Sequence, residues 1–322
     1  MKVALLDDYQ GLARSMADWS RLDAEVVSFD HHLGGPDGVV AALEPFDVVV
    51  AMRERTAFPA DVLRRLPNLR LLVTTGPANA VVDTDAVAER GIVFAGTGGV
   101  SDNAPTVEMT WALILATARH LPAEERRLRD GGWQQTLGRD LKGRQLGVVG
   151  LGGIGKPVAA VGQAFGMDVV GWSRHLDPDD ARSVGVEPVG KEELFATSDV
   201  VTIHMKLSEG SRGLVGRAEL DLMTANAILV NTSRGPIVDE DALLSALTEG
   251  RIGGAGLDVY GIEPLPVDSP WRSVPNAVLT PHLGYVTAET YTAMYADALE
   301  DIEEWAAGRP VPRVIVAPPG EH

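Results

Sequence analysis

The feature that most constrains the fold is a glycine-rich turn near the middle of the chain. A short apolar run at 146–149 predicts a buried strand, and it leads directly into Gly150-Leu-Gly152-Gly-Ile-Gly155 and then into a helical segment. In such a turn Gly150 allows a tight reversal, Gly152 leaves room for a phosphate, and Gly155 lets the helix pack close to the strand. The N-terminus of the helix offers unpaired N–H groups to an anion. The pattern favours a dinucleotide-binding turn over an ordinary strand-to-helix connection.

Short segments rich in Val, Ile and Leu alternate with helical segments on both sides of this turn. They lie at 3–6, 26–29, 48–52, 69–75 and 92–95, and again at 146–149, 169–172, 200–204, 228–231, 256–259 and 278–280. Such alternation is typical of parallel sheets that helices cover on both faces. We therefore predict two doubly wound α/β domains, the second of them with six strands.

The predicted domains are joined by a hinge at 96–103, where glycines interrupt the alternation. A long helix is expected next, with its apolar face at 107–121, Pro105 in its first turn, and Ser101, Asp102 or Asn103 as its cap. A last helix at 287–307 is expected to pack back on the first domain. The Pro-rich tail that follows is expected to be loosely ordered. The predicted boundaries are 1–98 with 286–322 for one domain, and 99–285 for the other.

The net charge limits the choice of partners. It is −17, which argues against a nucleic acid or an anionic membrane surface. The chain has no cysteine, so disulfides, thiolate nucleophiles and cysteine metal sites are excluded, and we predict no metal. The first residues become acidic too early for a signal peptide, and no segment resembles a membrane span. We therefore expect a cytoplasmic protein.

Three polar side chains follow apolar strands of the second predicted domain. Arg234, Glu263 and His282 each come shortly after such a run. Alone, each is more often a surface cation, a loop acid or a loop histidine with ordinary partners. In doubly wound sheets, however, ligands bind beyond the carboxyl ends of the strands. The convergence of three such residues on one edge predicts a catalytic site.

The motifs around these residues resemble those of the D-isomer-specific 2-hydroxyacid dehydrogenases, the family of phosphoglycerate dehydrogenase and glyoxylate/hydroxypyruvate reductase. They lie at 150–155, 231–240, 257–264 and 280–284, and the likeness extends over nearly the whole chain. The resemblance implies a flavodoxin-like substrate domain and a Rossmann cofactor domain. It also implies hydride transfer between a nicotinamide cofactor and a small anionic 2-keto or D-2-hydroxy acid.

The resemblance further implies that Arg234, Glu263 and His282 are catalytic. Hydride transfer to a 2-keto acid places negative charge on the carbonyl oxygen, so a proton donor and a fixed cation are needed. His282 suits the proton donor, with Glu263 beside its imidazolium, and Arg234 suits the cation. The cofactor contacts predicted with them are Gly150, Gly152, Gly153, Ile154, Gly155, His204, Lys206, Ser208, Thr232, Ser233, Asp258, His282 and Gly284, with Asp258 on the nicotinamide side.

The end of the second strand in this domain bears on the choice of cofactor. NAD-binding domains usually carry an acidic residue there, which accepts the ribose hydroxyls. This chain has Ser173 and Arg174, and its next carboxylate is Asp177. Because Arg174 is able to pair with a 2′-phosphate, we predict NADP(H) in preference to NAD(H), with NAD(H) still possible. The alternative is that Arg174 faces solvent and both cofactors work.

The predicted substrate loop departs from the family pattern. Relatives hold the substrate carboxylate with backbone amides of a Gly-rich loop, whose counterpart here runs through Gly76, Pro77, Ala78 and Asn79. Because Pro77 has no N–H, one contact is lost. We predict that Arg53, from the adjacent strand, replaces it beside Arg234. A surface position for Arg53 is the competing interpretation.

Two other functions stay open at this point. A formate dehydrogenase is disfavoured because those enzymes carry glutamine where Glu263 stands. Some relatives are dinucleotide-sensing corepressors that keep the same three residues.

A homodimer is expected from the family resemblance, through apolar surface near Trp111 and Trp133.

Overall fold

The computed structural model describes residues 1–98 and 103–317. The chain divides into two compact units, Met1–Ser101 with Thr287–His322 and Asp102–Val286. We call them the first and the second unit. Residues 99–102 of the predicted hinge, among them the cap candidates Ser101 and Asp102, lie outside the described residues. Asn103 precedes the first helix of the second unit, but its side chain makes no capping hydrogen bond.

The first unit opens with five parallel strands, and the short apolar runs that form them are buried on both faces except in the strand Glu25–Ser28 at the edge of the sheet. The strands are β1 Lys2–Leu5, β2 Glu25–Ser28, β3 Val48–Ala51, β4 Leu71–Thr74 and β5 Val93–Gly96, with helices α1 Pro36–Leu43, α2 Ala60–Arg64 and α3 Thr84–Glu89 between them. Short 3-10 turns lie at Ala13–Ser15 and Trp19–Arg21. The strand order is β5-β4-β3-β1-β2, so the chain winds outwards in both directions from the middle of the sheet.

The second unit begins with two helices where the sequence predicts one. Helix α4 is Ala104–Ala118 and α5 is Leu121–Arg129. The prediction of a single helix at 107–121 is therefore wrong at its C-terminal end. The chain turns at His120, which has a left-handed φ of 53°, and α5 starts again with Pro122 in its first turn.

The seven-stranded sheet of the second unit follows. Its elements are β6 Gln145–Val149, α6 Gly155–Ala164, β7 Asp168–Trp172, α7 Pro178–Ser183, β8 Glu187–Pro188, α8 Lys191–Thr197, β9 Val200–Ile203, α9 Arg217–Leu222, β10 Ile228–Asn231, α10 Glu240–Thr248, β11 Gly254–Leu257 and β12 Ala277–Leu279. Short 3-10 turns lie at Gly235–Ile237 and Pro270–Ser273. All pairs are parallel, in the order β12-β11-β10-β9-β6-β7-β8. The two-residue edge strand β8 makes seven strands where six were predicted.

The chain then returns to the first unit through α11 Ala288–Ala306 and β13 Val314–Val316. Strand β13 pairs antiparallel with β5 and closes that edge of the first sheet. The expectation of a loosely ordered tail is wrong for these residues, because Arg313 O accepts a hydrogen bond from Gly96 N and anchors the segment. Among the described residues, no helix combines the length and apolarity that crossing a membrane requires.

Candidate active site

The carboxyl edge of the second sheet carries one predicted residue after almost every strand. Along the strand order, His282 follows β12, Glu263 follows β11 and Arg234 follows β10. Next, His204 follows β9 and Gly150 follows β6. Because parallel strands end on the same side of a sheet, this edge is the place where a ligand of a doubly wound domain binds.

His282 and Glu263 form a close pair at this edge. His282 Nδ1 lies 2.5 Å from Glu263 Oε2, and both side chains keep some exposure. The second carboxylate oxygen, Glu263 Oε1, accepts a hydrogen bond of 2.9 Å from Tyr260 N. The ring edge of Tyr285 meets the imidazole at 5.5 Å between centroids. The imidazole is therefore held in one orientation, with Nδ1 on the carboxylate and Nε2 at the opposite corner of the ring.

A buried carboxylate shapes the loop that carries His282. Asp258 is fully buried and accepts hydrogen bonds from Thr280 Oγ1 at 2.6 Å, and from Leu283 N and Gly284 N at 2.8 Å each. Burial raises the pKa of Asp258, while these donors act in the opposite direction. The donors come from both sides of His282, which has a left-handed φ of 55°. Asp258 thus acts as the anchor of the histidine loop.

Arg234 is brought next to the Glu263 loop by close backbone packing. Asn231 Nδ2 donates 3.0 Å to Arg234 O, and Arg234 itself donates 2.8 Å to Ser233 O. A Cβ at Gly235 would lie 2.1 Å from the carbonyl carbon of Tyr260. Only glycine therefore permits this approach, and it places the Arg234 loop against the loop that carries Glu263.

The glycine turn has a geometry that suits a pyrophosphate. Gly150 has a φ of 99°, and a Cβ on Gly155 would lie 2.0 Å from Gly150 O. At Gly152, in contrast, a Cβ would meet no atom within 4 Å, so the space beside this backbone is open. The turn leads into α6, in whose first turn Lys156 N donates to Gly152 O, Val158 N donates to Ile154 O, and Pro157 has no N–H. Gly153 and Ile154 complete the turn, and these residues fit a dinucleotide.

Ser173 and Arg174 lie at the end of β7, next to the glycine turn. Ser173 Oγ accepts a hydrogen bond of 3.1 Å from Leu151 N, inside the turn. Arg174 is exposed and donates 2.6 Å to Gly210 O. The next carboxylate, Asp177, caps α7 by accepting from Asp179 N. The side chain that follows β7 most directly is therefore neutral, with an exposed guanidinium beside it.

The other predicted cofactor residues line the ends of β9 and β10, and most of their polar atoms have partners in the protein. Thr232 Oγ1 lies 2.8 Å from Thr110 Oγ1, and Ser233 Oγ donates 2.7 Å to Ile203 O. Ser208 N donates a hydrogen bond of 2.8 Å to Ser211 Oγ within the same loop. The side chain of Lys206 is exposed.

His204 is the exception. Nε2 lies 2.9 Å from Thr202 Oγ1, whereas Nδ1 has no hydrogen-bond partner among the described residues. Burial lowers the pKa of His204 to about 3. The imidazole is therefore neutral, and it can offer a hydrogen bond but no positive charge.

In the first unit, Arg53 and Gly76 meet at the carboxyl ends of adjacent strands β3 and β4. Arg53 has a left-handed φ of 52°, its N–H donates 3.0 Å to Thr75 Oγ1, and a Cβ on Gly76 would lie 2.4 Å from Arg53 Nη1. Asn79 Nδ2 donates to Arg53 O and Thr74 Oγ1, so its side chain holds the loop together. Pro77 and Ala78 lie between, on the exposed part of the loop.

The sequence interpretation missed residues that position these groups. Tyr260, Asn231 and Gly235 all lie inside the motifs that marked the site, so their position was the available signal.

The expectation that Trp111 contributes to an apolar dimer surface is wrong. It is buried, stacks on Phe165 at 5.0 Å and donates to Val158 O, so it contributes to the core and not to a surface. No cluster that could hold a metal ion occurs among the described residues.

The part of the chain that carries the carboxyl edge of the second sheet is similar to known proteins. Residues 111–284 match the sequence model described as D-isomer specific 2-hydroxyacid dehydrogenase, NAD binding domain. A glyoxylate reductase of Aeropyrum pernix is 38% identical over 264 residues, which cover 79% of this chain and 78% of that protein.

Two further relatives carry names related to phosphoglycerate. A D-3-phosphoglycerate dehydrogenase of Archaeoglobus fulgidus is 34% identical over 84% of this chain, but the chain spans only 51% of that relative's length. The crystal structure of a phosphoglycerate oxidoreductase from Vibrio cholerae O395 superimposes with a TM-score of 0.91 and 35% identity, over 96% of this chain and 99% of the other.

Proposed function

The chain belongs to the D-isomer-specific 2-hydroxyacid dehydrogenase family and transfers hydride between a nicotinamide cofactor and a 2-keto or 2-hydroxy acid, and on that premise we propose that His282, Glu263 and Arg234 carry out the chemistry. The observation that carries the proposal is the 2.5 Å contact of His282 with Glu263 at the carboxyl edge of the dinucleotide sheet.

Each residue has a role that follows from its position. When bound, the nicotinamide supplies or accepts the hydride. His282 gives a proton from Nε2 to the substrate oxygen in reduction and takes it back in oxidation, while Glu263 stabilises the imidazolium through Nδ1. Arg234 binds the carboxylate and polarises the carbonyl with its planar guanidinium. Asp258 keeps the histidine loop in place.

The test is turnover of small 2-keto acids, followed by the absorbance of the reduced nicotinamide. We expect reduction of glyoxylate, pyruvate or hydroxypyruvate with the reduced cofactor. In the reverse direction we expect oxidation of the D isomer of the 2-hydroxy acid but not of the L isomer. Binding of the dinucleotide without turnover of any acid would favour a sensor and contradict the proposal.

We also propose a preference for NADP(H) over NAD(H). The neutral Ser173 at the end of β7 removes the carboxylate that would repel a 2′-phosphate, and the exposed Arg174 uses only part of its five donors on Gly210 O. Lys206 adds a second exposed cation beyond β9. We expect a higher kcat/KM with NADPH, and Arg174→Ala should reduce that preference while leaving NADH turnover unchanged. A preference for NADH in the unaltered protein would contradict the proposal.

The substrate carboxylate is assigned to Arg234 and, in the first unit, to the loop of Gly76 with Arg53. The guanidinium of Arg53 lies against Gly76, which supports its use as the donor that Pro77 cannot supply. Gly76 N already donates to Thr74 O and Pro77 has no N–H, so Ala78 N and Asn79 N are the backbone donors that we assign to the substrate. The side chain of Asn79 is used within the loop.

The proposed assembly is a homodimer through the second unit, and the proposed location is the cytoplasm. Large apolar side chains are exposed along α5 and the segment after it: Leu121, Leu128, Trp133 and Leu137, the last with 93% of its surface exposed. Such a run favours burial against another protein surface, and we assign it to a second copy of this chain. Light scattering should give a dimer at micromolar concentration, and Trp133→Asp with Leu137→Asp should give a monomer.

A further inference from the structure

Tyr9 is an aromatic side chain held rigidly at the carboxyl edge of the first sheet. Its hydroxyl donates 3.0 Å to Asp7 Oδ1, and the guanidinium of Arg55 lies 5.0 Å above its ring. Arg55 also donates 3.1 Å to Asp7 O, and Thr56 Oγ1 donates 2.7 Å to Asp7 Oδ2. In spite of these contacts Tyr9 keeps 41% of its surface exposed. A fixed yet exposed aromatic ring is suited to contact a ligand.

The two arginines after β3 turn in opposite directions along this edge. Arg53 lies against Gly76, which follows β4 on one side, and Arg55 lies against Tyr9, which follows β1 on the other. Tyr9 and the Gly76 loop are therefore two strands apart, or about 10 Å at the usual strand spacing. Of this distance of about 10 Å, a hydrogen bond to the carboxylate takes about 3 Å and an apolar contact with the Tyr9 ring takes about 4 Å. The remainder has room for a substrate chain of two or three carbons.

We propose that Tyr9 forms the wall of the substrate site against the group on C3 of the 2-keto acid, and so selects short acids with an uncharged tail. The inference rests on the proposed function, since it takes the Gly76 loop and Arg53 as the carboxylate site. With the carboxylate there, the rest of the molecule extends along the edge towards β1, where Tyr9 is the exposed side chain held in place.

The charges around Tyr9 disfavour a second anion on the substrate. Asp7 and Asp8 are both 1% exposed at this end, and the guanidinium of Arg55 beside them already contacts Asp7 O and the Tyr9 ring. His32 Nδ1 faces Asp7 Oδ1 at 3.4 Å. A phosphate on C3 would have to compete with these acidic groups for Arg55. Selection against it would therefore come from repulsion as well as from size.

The experiment compares substrates that differ only in the tail. We would measure kcat/KM for glyoxylate, pyruvate, hydroxypyruvate and the 3-phosphate ester of hydroxypyruvate, with wild type, Tyr9→Ala, Tyr9→Phe and the control Leu12→Ala. Leu12 lies in the same loop and has 43% of its surface exposed. The melting temperature of each variant shows whether it folds.

For Tyr9→Ala we expect a loss of about tenfold or more for pyruvate and hydroxypyruvate, the size of a missing apolar contact, and no change for glyoxylate, which has no C3. Tyr9→Phe should keep most of the activity, and the phosphate ester should be the poorest substrate of wild type. Equal losses for glyoxylate and hydroxypyruvate would show a merely structural role, and a preference for the ester would also overturn the inference. If wild type reduces none of the four acids, the proposed function fails instead.

Discussion

The carboxyl edges of the two sheets are built in different ways, although both sheets are doubly wound. In the second unit two functional side chains are held by residues of their own motif: Asn231 is three residues from Arg234, and Tyr260 is three residues from Glu263. His282 and its loop are held by Glu263 and Asp258 of another motif, at separations of 19 to 26 residues. In the first unit the contacts join distant segments, such as Arg55 with Asp7 at a separation of 48 residues and Thr56 with Asp7 at 49.

This difference separates two tasks. A proton donor with its partner must keep one geometry, and hydrogen bonds within and between a few short motifs fix that geometry. The shape of a substrate's tail is set by side chains from several loops, so a change in one loop alters the selection without disturbing the chemistry. We infer that the second edge carries out the reaction and that the first edge chooses the substrate.

The largest effect is expected from His282→Ala. Loss of a general acid–base reduces kcat by about 10² to 10⁴, and the dissociation constant of the cofactor should stay near the wild-type value. Steady-state kinetics and a cofactor titration give both quantities. His31→Ala is the matched control, because His31 is exposed and lies at the other unit's edge, paired with Asp30. Full activity in His282→Ala would contradict the inference that the carboxyl edge of the second sheet carries out the reaction.

A smaller effect of a different kind is expected from Arg53→Ala. If one charge-assisted hydrogen bond of about 1.5–3 kcal/mol is lost, KM for a 2-keto acid should rise by about 10- to 100-fold. The value of kcat should change little, because Arg53 belongs to the selecting edge. Arg64→Ala, at an exposed position at the end of α2, is the control. A fall in kcat without a rise in KM would contradict the division of tasks.

Glu263→Gln should reduce kcat/KM at neutral pH by about tenfold, the effect of a charged partner worth about 1.4 kcal/mol. The neutral amide still accepts a hydrogen bond from Nδ1 at this position but no longer offers a negative charge at 2.5 Å from the ring. Steady-state kinetics at neutral pH measure the loss. An unchanged kcat/KM would mean that the charge of Glu263 takes no part in the reaction.

The comparison of the edges also explains what the sequence could predict. The order of α and β segments predicted both sheets, since each buried strand is a continuous apolar run. The motifs indicated Glu263, His282 and Arg234, because the supporting contacts of these residues lie within one motif or join two of the motifs. Tyr9 and its contacts with Asp7 and Arg55 were not predicted, because no local sequence pattern indicates that the guanidinium of Arg55 lies over the ring of Tyr9. Strands β8 and β13 were missed because they are short and exist only through pairing with a neighbour.

Buried carboxylates give the last and smallest prediction. Asp258 in the second unit has three donors, whereas Asp301 in the first unit is fully buried with Arg313 Nε 3.3 Å from Oδ2 and no partner for Oδ1 among the described residues. Burial raises the pKa of Asp301 to about 6, against the opposing charge of Arg313. The folded state thus binds this proton more tightly than the unfolded chain does. Asp301 therefore lowers stability as the pH rises from about 4 to 6, and its full penalty applies above pH 6.

Asp301→Asn removes the charge and keeps an acceptor for Arg313, so the variant should melt a few degrees higher than wild type at pH 7.5, with a smaller difference at pH 5. Calorimetry at the two pH values measures that difference, and Asp61→Asn, at an exposed position of α2, should show none. Since Asp301 lies in α11 of the first unit and belongs to none of the four motifs, kcat should be unchanged. A variant that is less stable at both pH values would mean that the ion pair with Arg313 outweighs the cost of burying the carboxylate. Asp301 would then stabilise the first unit at both pH values.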